Sequence, residues 1–438
     1  MMKPWQIIQQ LESDTSRLFK EDTVQAVAVS GNTEFFTGVR YALDSLVTFG
    51  VKQVPEHTGA QGAGLDWTSF QTVVDQLVAR RITGNAAREQ ISILMATATA
   101  EQWNDWYRRI LIQDLRCGVT EKTINTAVKR AQKPQYAVPV FTCQLAHDSA
   151  NHQGKLVGRR QIESKLDGVR VLTIVYPDGR VAQFSRNGKT LENFPLVRQQ
   201  FAAAATVWKL SEPWVFDGEI MSASFQDLMR QVHRKSNVQS SDAVLYVFDC
   251  LTLSDFRAGR SATPQHQRTQ LVNKFYSDIE SISPNIRTLQ CETVDLYTDA
   301  GQQRFRELNV AAIAGGYEGL MLKDVNAAYE CKRSTAWLKI KPYIEVSLTV
   351  VQTEEGTGKN AGRMGALVCE GIDDGKLIQV NVGSGFTDQQ RMDFWTCRVD
   401  GHIVEVRADA VTQNQDGSYS LRFPRFERFR GFEVTEKL

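Results

Sequence analysis

The first third of the chain carries apolar residues at helical spacing. Over residues 68–80 they recur every three or four positions, and the same spacing returns over 86–98 and 104–115. One face of an α-helix repeats every 3.6 residues, so these segments predict amphipathic helices. Thr120, followed by a glutamate, is placed to cap a further helix. Residues 1–135 are therefore predicted to form an all-α domain.

The pattern changes after a proline-containing linker at 133–139. From 138 to 342, β-forming runs alternate irregularly with helical segments, which predicts an α+β domain. Beyond 342, short β-rich runs are separated by glycine and aspartate clusters, which predicts a small barrel of the OB type. These five runs are 346–353, 366–370, 377–382, 403–408 and 419–425.

The size of the chain, 438 residues, allows two or three domains at ~100–200 residues each. A hydrophobic share of 42% and a charged share of 23% are ordinary for globular proteins. The net charge of +1 neither favours nor excludes nucleic acid, because binding depends on local basic patches. No apolar run reaches the ~18 residues of a membrane-spanning helix, so no membrane segment is expected.

The seven cysteines are scattered, and no two of them form a Cys-x-x-Cys pair. This distribution argues against a zinc ribbon and against a disulfide framework. It is typical of proteins that work in a reducing cytosol.

The segment Glu163-Ser-Lys-Leu-Asp-Gly-Val-Arg170 carries candidate chemistry. Lys165 stands at the edge of a predicted strand, just before an Asp-Gly turn. A lysine amine becomes a good nucleophile when desolvation or nearby positive charge lowers its pKa. An exposed hairpin would show the same pattern, so the segment alone leaves both interpretations open.

The pattern Lys-x-Asp-Gly-x-Arg resembles motif I of the covalent nucleotidyltransferases, which include DNA ligases, RNA ligases and mRNA capping enzymes. Segments that resemble the other family motifs follow in the family's order. These segments are 185–188, 216–219, 246–249, 318–323 and 337–341. One of them would be weak support, but the ordered set is specific. The resemblance implies that residues 138–342 form an adenylation domain.

Two helical segments add a narrower resemblance. Residues 79–87 and 114–125 are similar to the N-terminal DNA-binding domain of ATP-dependent DNA ligases, particularly those of T-even-type tailed phages. The resemblance implies a helical DNA-binding domain at 1–135 and an OB-fold domain at 343–438. Arg116 and Lys122 would then contact DNA phosphates, whereas a solvated helix face is the alternative.

The resemblance to DNA ligases implies three in-line displacements at phosphorus. Lys165 attacks the α-phosphate of ATP, AMP passes to a DNA 5′-phosphate, and the adjacent 3′-hydroxyl displaces AMP. The ATP-binding residues that the resemblance implies are Glu163, Arg170, Arg186, Glu219, Phe248, Lys339 and Lys341. Glu219 and Glu318 would bind Mg²⁺, with Mn²⁺ as an alternative, and the division between metal and ribose contacts stays open.

Four of these residues have a specific expected contact, and for Phe248 and Arg170 an alternative stays open. Glu163 would accept a hydrogen bond from the adenine 6-amino group, which favours ATP over GTP because guanine presents an acceptor there. Phe248 would stack on the adenine, and burial in a core strand is the rival interpretation. Arg170 and Arg186 suit phosphate contact, with ribose as an alternative for Arg170.

The end of the chain departs from the family pattern. The final family motif reads Arg-x-Arg followed shortly by Asp-Lys, and here Arg428-Phe-Arg430 is followed by Gly-Phe-Glu. Arg425, Arg428 and Arg430 are therefore predicted to supply the charge that orients pyrophosphate or binds DNA.

The resemblance predicts a monomeric enzyme on nicked double-stranded DNA. It would act in the cytoplasm of a bacterium, or of a bacterial host if a phage encodes it. An RNA ligase or capping enzyme is the same-class alternative, against which the helical region and Glu163 argue. A catalytically silent nucleic-acid-binding relative is the other alternative, and the presence of Lys165 and Glu318 argues against it.

Overall fold

The computed structural model describes residues 2–51, 53–222, 242–414 and 416–431. The chain divides into two compact units. Unit 1 comprises Met1–Leu145, Gly168–Leu289 and Asn326–Ser334. Unit 2 comprises Ala146–Asp167, Gln290–Val325 and Thr335–Leu438. The boundaries of the three sequence-based domains stay predictions.

The helices concentrate in the first half of the chain. They are α1 Pro4–Glu12, α2 Arg17–Ser30, α3 Thr33–Leu43, α4 Trp67–Val78, α5 Gly84–Thr97, α6 Ala100–Gln102, α7 Arg108–Leu111, α8 Glu121–Arg130, α9 Pro195–Trp208, α10 Leu253–Arg257, α11 Gln265–Ser277, α12 Asp299–Ala314 and α13 Asp388–Thr396. No helix among the described residues is long and apolar enough to cross a membrane.

The strands begin after the helical region. They are β1 Leu145–Asp148, β2 Arg159–Lys165, β3 Val169–Val175, β4 Val181–Ser185, β5 Trp214–Met221, β6 Val244–Thr252, β7 Arg260–Ser261, β8 Ile286–Thr288, β9 Cys291–Asp295, β10 Gly319–Asp324, β11 Tyr329–Glu330, β12 Arg333–Ile340, β13 Ile344–Glu355, β14 Met364–Asp373, β15 Lys376–Val382, β16 Ile403–Ala408, β17 Ala410–Gln413, β18 Tyr419–Arg422 and β19 Arg425–Gly431.

The helical region of unit 1 follows the apolar spacing closely. The predicted segments 68–80 and 86–98 become α4 and α5, and Thr120 caps α8 by accepting the N–H of Thr123. The segment 104–115 differs, because a π-helical turn leads into α7 and the helix ends at Leu111. Gln113 next adopts a left-handed φ of 56°, which an α-helix does not accommodate.

The rest of unit 1 contains a five-stranded mixed sheet. Its strand order is β4-β3-β5-β6-β8, and every pair is antiparallel except the parallel pair of β6 and β8. Helices α9 and α11 cover one face through an aromatic cluster, in which the ring of Trp208 lies 5.0 Å from Phe216 and 5.1 Å from Phe275. Burial of these large rings fixes the helices on the sheet.

A second sheet, in unit 2, has the order β1-β12-β10-β2-β9. Side chains alternate between the two faces of a strand, and here the two faces differ in chemistry. The apolar face packs with α12 and contains Ile162, Leu320, Leu322 and Leu338. The opposite face carries the charged side chains of the motifs, including Lys165 and Lys339.

The C-terminal sheet of unit 2 is the predicted OB-like element, with the strand order β17-β18-β15-β14-β13-β16-β19. Four of the predicted runs became β13, β14, β15 and β16. The predicted run 419–425 splits into β18 and the start of β19, because Phe423 has a left-handed φ of 52° and Pro424 lacks an N–H. The short strand β17 was not predicted from the sequence pattern. Phe432 and Glu433, part of the final-motif departure, lie outside the described residues.

Candidate active site

Three strand ends of unit 2 bring the central motifs together. Lys165 ends β2 and lies opposite Gly319, the first residue of β10. On the other side of β10, Leu320 lies opposite Ile340, the last residue of β12. Glu318 lies one residue before β10, and Lys341 lies one residue after β12. Both therefore lie at the same end of these strands as Lys165. The register of three adjacent strands therefore assembles residues that are up to 176 positions apart in sequence, from 165 to 341.

The carboxylate of Glu318 contacts two ammonium groups. One oxygen accepts a hydrogen bond from Nζ of Lys165, and the other pairs with Nζ of Lys341. The three side chains are between 16% and 21% exposed. In such a partly desolvated setting a single carboxylate offsets the repulsion between two lysines. Glu318 also donates its N–H to the carbonyl of Lys165 at 3.0 Å.

Gly319 makes this close approach of backbones possible. Its φ is +140°, a conformation that side-chain-bearing residues rarely adopt. A Cβ at this position would lie 2.0 Å from the carbonyl oxygen of Ile340. The glycine of the Glu-Gly pair is therefore a steric requirement of the site.

Further charges surround Lys341. Burial and the nearby Lys165 lower the pKa of Lys341, and the carboxylate of Asp409 opposes that shift. Asp409 lies 3.7 Å from Nζ of Lys341 and 3.6 Å from the guanidinium of Arg425. Lys339, Lys341, Asp409 and Arg425 line one cavity of about 500 Å³ together with Ser384. A cavity with three cations at its wall suits an anion.

The three predicted arginines of β19 have different partners in the structure. Arg425 joins Lys341 through Asp409, as described above. Arg428 donates from Nε to Glu405 at 2.5 Å, and Arg430 donates to the hydroxyl of Ser347 at 2.7 Å. The structure therefore brings Arg425 to the lysine cluster and holds the other two along the OB-like sheet.

Glu163 lies two residues before Lys165 on the same face of β2 and is 7% exposed. Its carboxylate pairs with Nζ of Lys323 at 2.7 Å. Lys323 is itself 1% exposed, and its ammonium lies 4.6 Å from the ring centroid of Trp337. Lys323 stands inside the motif 318–323 but was missed as a site residue. An ion pair of this kind fixes the direction in which the carboxylate points.

The predicted residues of unit 1 form their own group. Arg170 donates from Nε and Nη2 to the two oxygens of Asp217, at 2.8 and 2.5 Å. Its guanidinium lies 5.4 Å from the ring of half-buried Phe248. Burial lowers the pKa of Arg170, but the Asp217 carboxylate, together with Cys143 and Tyr329, raises it, and the net shift is upward. Glu219 on β5 is opposite Arg170 in the sheet register and is half-buried.

Three of the other predicted contacts lie at the surface, and Lys339 lies on an interior strand of its sheet. Arg186 is exposed in the turn after β4, and Arg116 and Lys122 are exposed in the helical region. Lys339 is part of β12, with Nζ 3.8 Å from the carboxylate of Asp148. Asp217 was missed as a site residue, although it stands inside the motif 216–219.

The acidic side chains of the site can be compared with the ligands that a divalent metal ion requires. Among the described residues, no group of three or more His, Cys, Asp or Glu side chains is close enough to hold one. Mg²⁺ usually takes only one or two carboxylates and completes its shell with phosphate oxygens and water. Glu318 with its single carboxylate fits such a metal, which would arrive together with a phosphorylated ligand.

A partly desolvated lysine flanked by a second lysine and a carboxylate, beside a cavity lined by cations, is an arrangement suited to covalent nucleotidyl transfer. Residues 143–341 match the family described as ATP dependent DNA ligase domain. Residues 355–430 match the DNA ligase OB-like domain. A solved structure named Pmar-Lig_PreS3 is 50% identical with a TM-score of 0.67, and the alignment covers 98% of this chain and 100% of that one. The chain belongs to the family of ATP-dependent DNA ligases.

Curated relatives include archaeal DNA ligases. That of Methanococcoides burtonii is 29% identical over 316 residues, which is 65% of this chain and 53% of the relative. That of Natronomonas pharaonis is 29% identical over 385 residues, or 73% of this chain and 66% of the relative. The chain spans about half the length of several curated relatives that it matches.

Replacement of Gly319 by alanine is expected to destabilise the fold. The added Cβ meets the Ile340 carbonyl and forces a side chain into positive φ, and we expect a loss of about 2–4 kcal/mol in the free energy of unfolding. Urea denaturation of the variant and of Gly154→Ala measures this loss. Gly154 has open space around its Cβ position, so equal stabilities of the two variants would contradict the steric explanation.

Proposed function

We propose that this protein is an ATP-dependent DNA ligase that seals nicks in duplex DNA. The observation that carries the proposal is the cluster of Lys165, Glu318 and Lys341, because a nucleophilic lysine needs desolvation, a proton acceptor and nearby positive charge. Support also comes from the two family matches, which lie side by side along the chain.

In the first step, Nζ of Lys165 would attack the α-phosphorus of ATP. A phosphorus–nitrogen bond forms, the bond to the β-phosphate oxygen breaks, and pyrophosphate leaves. Nζ of Lys165 hydrogen-bonds to the carboxylate of Glu318, so that carboxylate is placed to take the proton that the amine must lose. Lys341 then stabilises the charge that develops on the phosphate oxygens.

In the later steps, AMP passes from Lys165 to the 5′-phosphate of the nick, and the 3′-hydroxyl displaces AMP to form the phosphodiester. Both displacements depend on positioning and charge neutralisation, for which the basic groups around Lys341 are suited. Arg425 would orient the departing pyrophosphate in the first step, since it faces the same cavity as Lys341. Arg428 and Arg430 would stabilise the OB-like sheet or contact the DNA.

Nucleotide contacts complete the proposal. Glu163 would accept from the adenine 6-amino group, and Phe248 would stack on the base. Arg170, Arg186 and Glu219 would contact the ribose or phosphates, and Lys339 and Lys341 the phosphates. Mg²⁺, or Mn²⁺ in its place, would be held by Glu318 or Glu219 with phosphate oxygens, where it neutralises phosphate charge.

The partner would be nicked double-stranded DNA bound by a monomer. Arg116 and Lys122 are exposed in the helical region, which suits phosphate contacts. A site of action in bacterial cytoplasm, and a lineage related to T-even-type phages, also belong to the proposal. The archaeal relatives do not address that lineage. An RNA ligase or a capping enzyme is the alternative, and nucleotide preference separates it from the proposed function.

Lys165→Ala should abolish self-adenylation, because no other amine would be in line with the α-phosphate. The measurement is transfer of label from radiolabelled ATP and Mg²⁺ to the protein. Lys155→Ala, an exposed lysine of the same unit, serves as the control and should label normally. The Lys165→Ala variant should still seal a pre-adenylated nick slowly, because the last step does not need the lysine as a carrier of AMP. Label on the variant that mass spectrometry maps to another residue would remove Lys165 from its role.

Glu163→Gln should narrow the preference for ATP over GTP. The amide keeps the shape and still accepts from Lys323, but it can also donate to the guanine oxygen. A lost hydrogen bond to a charged group corresponds to about 1–3 kcal/mol, or about fivefold or more in adenylation efficiency. Glu292→Gln on neighbouring β9 is the matched control. Equal use of GTP by the wild-type protein would favour a capping-type enzyme instead.

Removal of residues 1–135 should leave self-adenylation nearly intact, because every nucleotide-binding motif begins at Glu163 or later. Nick binding should weaken and become less dependent on salt, since fewer counterions are released.

A double variant, Arg116→Ala with Lys122→Ala, tests the same idea with the helical region in place. The slope of log affinity against log salt should fall by about 0.9 for each DNA phosphate that the variant no longer neutralises. Lys155→Ala again controls for the removal of a surface charge. A truncated protein that binds nicked duplex with unchanged affinity and salt slope would show that the helical region serves another purpose.

A further inference from the structure

A buried tyrosine outside the sequence motifs contacts the group around Arg170. Tyr329 is 0% exposed and lies in the segment Asn326–Ser334 of unit 1. Its hydroxyl donates to Oδ2 of Asp217 at 2.7 Å and accepts the N–H of Gln144 at 3.2 Å. The phenolic proton is therefore directed at the carboxylate.

Asp217 is the centre of this group. It is fully buried, and its two oxygens accept three hydrogen bonds, two from Arg170 and one from Tyr329. A buried carboxylate is costly unless charged and polar donors surround it in good geometry. The tyrosine hydroxyl thus restricts the rotation of the carboxylate that Arg170 uses as its anchor.

The anchor determines what Arg170 presents to a ligand. Its Nε–Nη2 edge faces Asp217, and a bidentate contact along that edge is not available to a phosphate. A nucleotide would meet the end of the guanidinium, formed by Nη1 and the second hydrogen of Nη2. A contact of this type depends on the angle at which Asp217 holds the fork.

The segment that carries Tyr329 is itself fixed within unit 1. Tyr329 pairs with Ser261 across β11 and β7, and the carbonyl of Ala327 accepts from Gln265 at 2.9 Å and from Arg268 at 3.1 Å. Arg268 also pairs with Asp249 at 2.8 Å, and its guanidinium lies 5.6 Å from the Tyr329 ring. The hydroxyl is therefore held by a buried segment that pairs and hydrogen-bonds along its length.

We propose that Tyr329 is a positioning residue for adenylyl transfer, which orients Asp217 so that the end of Arg170 meets the nucleotide at the correct angle. The inference rests on the proposed function, because it assigns Arg170 to the nucleotide. Burial raises the pKa of Tyr329, and the hydroxyl therefore stays a donor throughout the working pH range.

Tyr329→Phe removes only the hydroxyl and is the direct test. It should raise the ATP concentration for half-maximal self-adenylation about three- to tenfold, as expected when part of a hydrogen bond to a charged group is lost. In the Arg170→Ala background the same substitution should change that concentration by less than about twofold, since its target is already absent. Asp217→Asn, which weakens the anchor itself, should raise it further than Tyr329→Phe does.

Tyr107→Phe is the matched control, because Tyr107 is 1% exposed and donates a hydrogen bond of 2.9 Å to the carbonyl of Leu65 in the same unit. It should lower thermal stability comparably and leave ATP dependence unchanged. Equal effects of Tyr329→Phe with and without Arg170, or none in the wild-type background, would overturn the inference. A wild-type protein that takes no label from ATP would instead refute the proposed function.

Discussion

The contact of one carboxylate with two lysines is the central interaction of the charged site in unit 2. Lys165 and Lys341 come from β2 and from the end of β12, and β10 between them delivers Glu318 to both. Two ammonium groups this close would repel each other in a partly desolvated place. The carboxylate offsets that repulsion without removing the positive field that a phosphate would meet. The backbone geometry of Gly319 is what lets the start of β10 approach the end of β12 this closely.

Sequence periodicity predicted many of the helices and strands of this structure. The apolar spacing predicted α4, α5 and the cap of α8, and the alternating runs predicted most of the C-terminal sheet. Lys165 and Glu318 could be identified together because each stands in a short pattern whose neighbours are also informative. The local chain is sufficient for such signals, since helix period and turn chemistry act over a few residues.

Side-chain partners could not be predicted in the same way. Lys323 faces Glu163, and Asp217 faces Arg170, only because the strand registers put them there. Register depends on the buried faces of several strands at once, so no local pattern specifies it. The same reasoning applies to β18 and β19, where one left-handed residue and a proline divided a run that looks continuous by hydrophobicity.

The balance of charge around Lys341 leads to a further expectation about the metal. Among the five groups in direct contact, Lys165, Lys341 and Arg425 contribute three positive charges and Glu318 and Asp409 two negative ones, so these five groups carry a net charge of +1. A nucleoside triphosphate brings several negative charges into the same space. Since side chains neutralise only part of them, we expect a divalent cation carried by the phosphates to supply the rest.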